Sequence, residues 1–112
     1  ETKKLGMVSV PGAMTPTEIM SAYNSGADIV KLFPAGFLGI DYYKAVRAPI
    51  NHVPLMAVGG IDETNVASFF EVGYCSCGIG SNIMKNALIE AGSYEALTLL
   101  AEKFVKSCKA YV

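Results

Sequence analysis

Lys31 is the residue in this chain whose setting is hardest to explain without chemistry. It lies inside Ile29-Val30-Lys31-Leu32-Phe33-Pro34-Ala35, an apolar run rich in β-branched and aromatic residues that reads as a strand stopped by proline. An unpaired ammonium in such a run is costly. It is relieved by a carboxylate, by a bound anion, or by a lowered pKa that leaves a neutral amine. A neutral lysine attacks carbonyl carbon and forms Schiff bases. The plainer alternative is a strand-end lysine that snorkels to solvent. Two further features could do chemistry, Gly59-Gly60 and Gly80-Ser81. Glycine lets backbone N–H groups approach phosphate oxygens, and Ser81 adds a hydroxyl donor. Either pair alone is better explained by a tight turn.

The remaining polar candidates have structural explanations. Glu18 has capping-box spacing from Thr15, and Asp62 and Glu63 stand at a helix start. His52 is a lone histidine in a loop entering a strand. Tyr42 and Tyr43 read as helix packing. Cys75 and Cys77 share a strand face as small buried hydrophobes, and Cys108 is distant. Cys-x-Cys with one histidine offers too few zinc-type ligands, so no metal is expected.

The elements around these residues alternate. Met7–Val10 reads as a strand ended by Pro11-Gly12. Thr15, Pro16 and Glu18 open a helix that Gly26 closes. A second strand spans 28–33, followed by a loop with two glycines over 34–39. Asp41 caps a helix through Arg47. A third strand covers 53–58. Asp62 caps a helix carrying Val66, Phe69 and Phe70 that stops at Gly73. A fourth strand covers 74–79. The last helix begins near Ser93, with Leu97, Leu100, Ala101, Phe104, Val105 and Cys108 on one face that reads as core. Four strand–helix units imply an α/β fold, either a doubly wound sheet or a (β/α)8 barrel. The strands are short and apolar on both faces, as parallel strands covered by helices should be. A barrel needs about 200 or more residues, so four units make half of one, with open edges at the Met7 and Tyr74 strands. In either fold the strand C-terminal ends carry the chemistry. Pro11-Gly12, Phe33-Pro34-Ala35, Gly59-Gly60 and Gly80-Ser81 all fall there. Two glycine pairs after consecutive strands, where a barrel's phosphate site belongs, make phosphate binding the better reading.

Composition narrows the class. The 112 residues are 52% hydrophobic and 17% charged, which suits one small globular domain over 1–112. Nine Lys and Arg against ten Asp and Glu leave a net charge of −1. The lysines are scattered, which argues against nucleic acid. No apolar run reaches bilayer-spanning length, which argues against a membrane. An odd cysteine count without a disulfide framework suits a reducing, cytoplasmic setting. No initiator Met or signal peptide is seen, which suggests a fragment or processed chain.

Four motifs then resemble the KDPG/KHG aldolases in order and spacing. They are Pro-Gly-Ala-Met-Thr-Pro-Thr-Glu (11–18), Val-Lys-Leu-Phe-Pro-Ala (30–35), Val-Gly-Gly-Ile (58–61) and Gly-Ile-Gly-Ser (78–81). The resemblance implies a (β/α)8 barrel with this chain as its C-terminal half, in a homotrimer. It implies a class I aldolase that cleaves 2-keto-3-deoxy-6-phosphogluconate or 4-hydroxy-2-oxoglutarate, giving pyruvate and glyceraldehyde 3-phosphate or glyoxylate, without a cofactor. It makes Lys31 the Schiff-base lysine and places Phe33 against the pyruvyl part. Gly59, Gly60, Gly80 and Ser81 line the phosphate site, and Val58 is a further substrate-binding position that bears on preference at C4. The family's general-base Glu lies in the other half of the barrel. Val58 stands where gluconate-type members have Thr, and there the chain resembles the 2-dehydro-3-deoxy-6-phosphogalactonate branch. Two other readings remain beside it: a different phosphate-binding barrel enzyme, and a non-catalytic half-barrel that assembles by its edges.

Overall fold

The structure, a computed structural model, describes residues 1–111. Its centre is one parallel sheet of four strands, β1 (Gly12–Ala13), β2 (Val30–Leu32), β3 (Leu55–Val58) and β4 (Ser76–Gly78), side by side in chain order. Five helices accompany it: α1 (Pro16–Asn24), α2 (Ala35–Arg47), α3 (Val66–Val72), α4 (Asn86–Glu90) and α5 (Tyr94–Cys108). Each crossover returns the chain one strand further in the same direction. This is the progression of a barrel, without the reversal of a doubly wound sheet. β1 and β4 are the two edges, the second in the expected Tyr74 strand and the first just after the expected Met7 strand.

Burial alternates along the strands. Val30, Leu32, Leu55 and Ala57 are buried, whereas Lys31, Met56 and Val58 are only half-buried. The buried set forms the core with Ile19 of α1, Tyr43 and Val46 of α2, Val66 and Phe69 of α3 and Phe104 of α5. The helices pack on this buried side. Among the described residues they cover one face, and the other, carrying Lys31 and Met56, is left to line a barrel interior. In the ladder Gly12, Lys31, Met56 and Ser76 stand in one row across the sheet.

Local sequence explains most element ends. Thr15 Oγ1 accepts from the Glu18 N–H at 3.3 Å, while Glu18 Oε2 accepts from the Thr15 N–H at 2.9 Å and the Met14 N–H at 2.8 Å. These backbone donors hold the Glu18 carboxyl below its usual range. Gly26 and Gly73 follow α1 and α3 at φ 95° and 111°, a conformation that favours glycine.

Several elements differ from expectation. Met7–Val10 is not a ladder strand; the first strand is Gly12–Ala13. The segment still lends carbonyls to β2: Ser9 O accepts from Asp28 and Ile29, and Pro11 O from Lys31. At an edge only one side of the strand is bonded, and Pro11 has no N–H for the other. Helix α2 starts at Ala35, within the expected loop, and is kinked at Gly39 (φ 82°, ψ 170°). Asp41 is not its cap; the carboxylate lies 3.9 Å from Lys44 Nζ. Asp62 stands one turn before α3, where its side chain accepts from the Thr64 and Asn65 N–H groups. The short α4 was not anticipated. On α5, Phe104 is buried but Val105 is 64% exposed, so that stripe is only partly core. Cys75 is exposed rather than buried. Tyr43 is buried and stacks on Tyr74 at 4.0 Å, in keeping with helix packing. His52 is exposed, edge-on to Tyr23.

One ion pair ties the N-terminal segment to the sheet. Lys3 Nζ donates to both Asp28 oxygens at 2.7 and 2.8 Å, and the Ser9 N–H donates to Asp28 Oδ2 at 2.7 Å. Lys3, then the Ser9 N–H, hold the Asp28 carboxyl below its usual range. A depressed folded-state pKa contributes stability that is present above the unfolded carboxylate pKa and lost as pH falls through the folded value. Asp28→Asn is therefore expected to be destabilising at neutral pH. The deficit relative to the parent should vanish as denaturation midpoints are followed below about pH 4. A deficit that stays constant to lower pH would assign it to packing.

Candidate active site

Half-buried Lys31 sits mid-strand on the helix-free face of β2. Its neighbour on β1 is Gly12, and a Cβ there would stand 3.1 Å from Lys31 Cε. Glycine at this place gives the lysine stem room to lie across β1. The ion pairs found among the described residues are Lys3–Asp28 and Lys44–Asp41, so Lys31 has no carboxylate partner there. Its Nζ instead lies 5.6 Å from the centroid of the Phe33 ring.

Phe33 connects the lysine to the glycine loops. Its side chain shares the Lys31 face, one pleat closer to the strand end, and is 51% exposed. The far edge of the ring rests on Gly59, where a Cβ would fall 2.8 Å from Phe33 Cε2. Gly59 also has φ 91° and Gly60 φ 70°. Gly59 thus needs to be glycine for its backbone and for the aromatic ring above it. Lys31, Phe33 and Gly59 form one continuous surface across β2 and β3. The Phe33–Pro34 peptide is cis.

Beyond Gly59 lies a cleft of about 200 Å³ lined by Val58, Gly59, Gly60, Ile61, Gly78, Gly80, Ser81 and Asn82. The sequence expectation placed five of these together. The carbonyls of its first loop are all engaged. Gly59 O accepts from the Gly36 N–H at 2.8 Å, Gly60 O from Asn65 Nδ2 at 3.1 Å, and Ile61 O from Asn82 Nδ2. The N–H groups of Gly60, Ser81 and Asn82 donate to no acceptor among the described residues. A loop whose acceptors are occupied and whose donors remain open suits an anion. At Gly80 a Cβ would meet nothing within 4 Å, so the space there is open for a ligand. Neighbouring strands are about 4.8 Å apart. The cleft therefore lies on the order of 10 Å from Lys31, a reach that suits a chain with a carbonyl at one end and a phosphate at the other.

Two carboxylates near the strand ends are otherwise employed. Glu18 closes the α1 capping box and Asp62 the turn before α3. Thr64 holds the Asp62 carboxyl below its usual range. Burial pushes the Cys77 thiol up to about 12, which removes it as a nucleophile at neutral pH. No group of three or more His, Cys, Asp or Glu among the described residues could hold a metal ion. Sequence reasoning noted Gly12 only as part of a strand end and assigned no site role to Gly36, Ile61, Asn65 or Asn82. Asn82 could have been suspected from its place directly after Gly80-Ser81.

A family model described as KDPG and KHG aldolase matches residues 2–100. A protein of Rhizobium meliloti named "Probable 2-dehydro-3-deoxy-6-phosphogalactonate aldolase" is 42% identical over 81 residues, covering 71% of this chain and 38% of that protein. The 2-dehydro-3-deoxy-6-phosphogalactonate aldolase of Escherichia coli is 34% identical over 109 residues, covering 96% of this chain and 51% of that protein. The Escherichia coli KHG/KDPG aldolase is 30% identical over 101 residues, covering 89% and 47%. A solved structure described as "Native KDPGal structure" superposes with a TM-score of 0.86 at 32% identity, covering 97% of this chain and 52% of that chain. The chain spans about half the length, or less, of these relatives.

Proposed function

The chain belongs to the KDPG and KHG aldolase family, and on that premise we propose that Lys31 is the Schiff-base lysine of a class I aldolase. Its substrate would be a 2-keto-3-deoxy sugar acid 6-phosphate. Residues 1–112 form a single domain that is half of a (β/α)8 barrel. The observation that carries this reading is the placement of Phe33. Its ring joins an amine without a carboxylate partner among the described residues to an anion cleft built on the next two strands.

In the proposed reaction the unprotonated Lys31 amine attacks the C2 ketone. Loss of water gives a protonated imine, with Phe33 packed on the pyruvyl part. A base takes the C4 hydroxyl proton, the C3–C4 bond breaks, and its electron pair moves into the imine as an enamine. Glyceraldehyde 3-phosphate leaves. Protonation at C3 and hydrolysis then release pyruvate and restore Lys31. Gly59, Gly60, Gly80 and Ser81 hold the phosphate end, with Val58 beside them bearing on the C4 epimer. Glu18 and Asp62 are bound into helix starts, and the resemblance to the family puts the base, a Glu, in the remainder of the barrel. No metal or organic cofactor enters any step. We place the enzyme in the cytoplasm as a homotrimer, with its open sheet edges β1 and β4 covered in the closed barrel. No described helix is long and apolar enough to cross a membrane.

The two galactonate-branch relatives match at 42% and 34% identity, and the KHG/KDPG aldolase at 30%. With Val58 beside Gly59, this favours the galactonate epimer. The intact protein is expected to release pyruvate from 2-keto-3-deoxy-6-phosphogalactonate faster than from the gluconate epimer. Val58→Thr is expected to move the ratio of kcat/KM values toward gluconate by about tenfold, the effect of one gained hydrogen bond. Coupled pyruvate assays on both epimers test this. No pyruvate from either substrate would sink the aldolase reading; an unmoved ratio would sink only the role of Val58.

A further inference from the structure

Each of the three consecutive carbonyls of the first cleft loop is held by a different part of the chain. Gly59 is held from the start of α2, Gly60 by Asn65 before α3, and Ile61 by Asn82 after β4. Gly36 and Asn65 belong to the same side of the cleft as the loop they hold. Asn82 differs, because it belongs to the opposite loop, the one that carries Gly80 and Ser81. Its half-buried side chain spans 21 residues of sequence to reach Ile61, and its Nδ2 is the one described side-chain donor that joins the two glycine loops. The Ile83 and Met84 N–H groups bond to Gly80 O at 3.0 and 2.9 Å, so Asn82 sits in a closed turn and its side chain is aimed by it.

We propose that Asn82 is a positioning residue that sets the width of the anion cleft by stapling the Gly80–Asn82 loop to the Gly59–Ile61 loop. Asn82 acts through Ile61 O, and the open N–H groups of Gly60 and Ser81 are what it brings to a common point. The proposal rests on the reading of this cleft as the phosphate end of the aldolase site. It also explains why an amide is suited here. A carboxylate would repel both the Ile61 carbonyl and the incoming phosphate, and an alkyl group would leave the loops unjoined.

The test is made on the intact protein with Asn82→Ala, Asn82→Asp and Asn82→Gln. Three quantities are read: the dissociation constant of inorganic phosphate, kcat and KM for the phosphorylated keto acid, and the rate at which pyruvate plus borohydride modifies Lys31. Asn82→Ala is expected to weaken phosphate binding and raise KM about tenfold, with kcat changed by less than about threefold. Asn82→Asp keeps the side-chain volume and is expected to be at least as impaired. Asn82→Gln, which restores a donor amide, should recover part of the loss. Pyruvate carries no phosphate, so its trapping rate should be the same in all four proteins. An unchanged phosphate constant in Asn82→Ala would overturn the proposal, as would a parallel fall in the trapping rate. If the parent protein forms no pyruvate adduct, the aldolase reading fails, while the phosphate titrations still decide the staple.

Discussion

Lys31→Met is expected to lower aldol cleavage by the intact protein by roughly 10⁴-fold or more, the scale on which loss of a covalent nucleophile acts. Methionine keeps an unbranched apolar stem of similar reach and so preserves packing against Gly12 and Phe33. Folding should survive the change. Lys31 has no carboxylate partner among the described residues, so no ion pair is broken. The thermal midpoint is expected to stay within a few degrees of the parent, and inorganic phosphate should bind equally well. Lys31→Arg is expected to be as inactive, because a guanidinium stays protonated and cannot attack a carbonyl. Steady-state pyruvate release, read beside a melting curve, separates loss of the nucleophile from loss of the fold. A Lys31→Arg protein that kept full activity would favour a phosphate-binding barrel of another reaction class.

The second large effect is expected at Gly36, a residue that performs no chemistry. A Cβ there would stand 2.5 Å from Gly60 O and 2.7 Å from Gly59 O. Both atoms are backbone, so neither can swing aside as a flexible side chain would. The Gly36 N–H also supplies the 2.8 Å bond to Gly59 O that begins the row of held carbonyls. Gly36→Ala must therefore push the cleft loop away from α2. The expected cost is about 1–3 kcal/mol, the range for overpacked sites, together with a loss of phosphate affinity. Gly80→Ala provides the contrast. Its Cβ would meet nothing within 4 Å and would project into open cleft space. It should leave the melting temperature nearly unchanged while weakening phosphate binding. Thermal melts and phosphate titrations of the two variants distinguish a glycine needed for close backbone approach from one needed for ligand access. Equal stability losses in both would contradict that distinction.

What the sequence made legible was local. The Thr15–Glu18 capping box, the glycines that close α1 and α3, and the common face of Lys31 and Phe33 depend on spacings of two to eleven residues. Each stands in the structure as read. The strand order and open edges followed from repeated strand–helix units. Contacts between distant loops were not legible. The Gly36 approach to Gly59 and Gly60 and the reach of Asn82 to Ile61 each span more than twenty residues, and the fit of Gly12 under Lys31 spans 19. None has a periodic signature. The first strand was misplaced because Met7, Val8 and Val10 have strand composition, whereas ladder pairing at an edge is decided by the neighbour. Cys75 was expected to be buried because it shares a strand face with Cys77. It lies just before β4, between buried Tyr74 and half-buried Ser76, with its Sγ 3.2 Å from the Leu55 carbonyl.

The central claim is that Lys31 forms an imine with a 2-keto acid, and trapping tests it most directly. The intact protein is incubated with pyruvate and borohydride, digested, and its lysine-containing peptides are weighed. The account expects one reduced pyruvyl adduct, on the peptide carrying Lys31, formed only when both reagents are present and absent from Lys31→Met. Pyruvate fixed on another lysine, or on none, would contradict it.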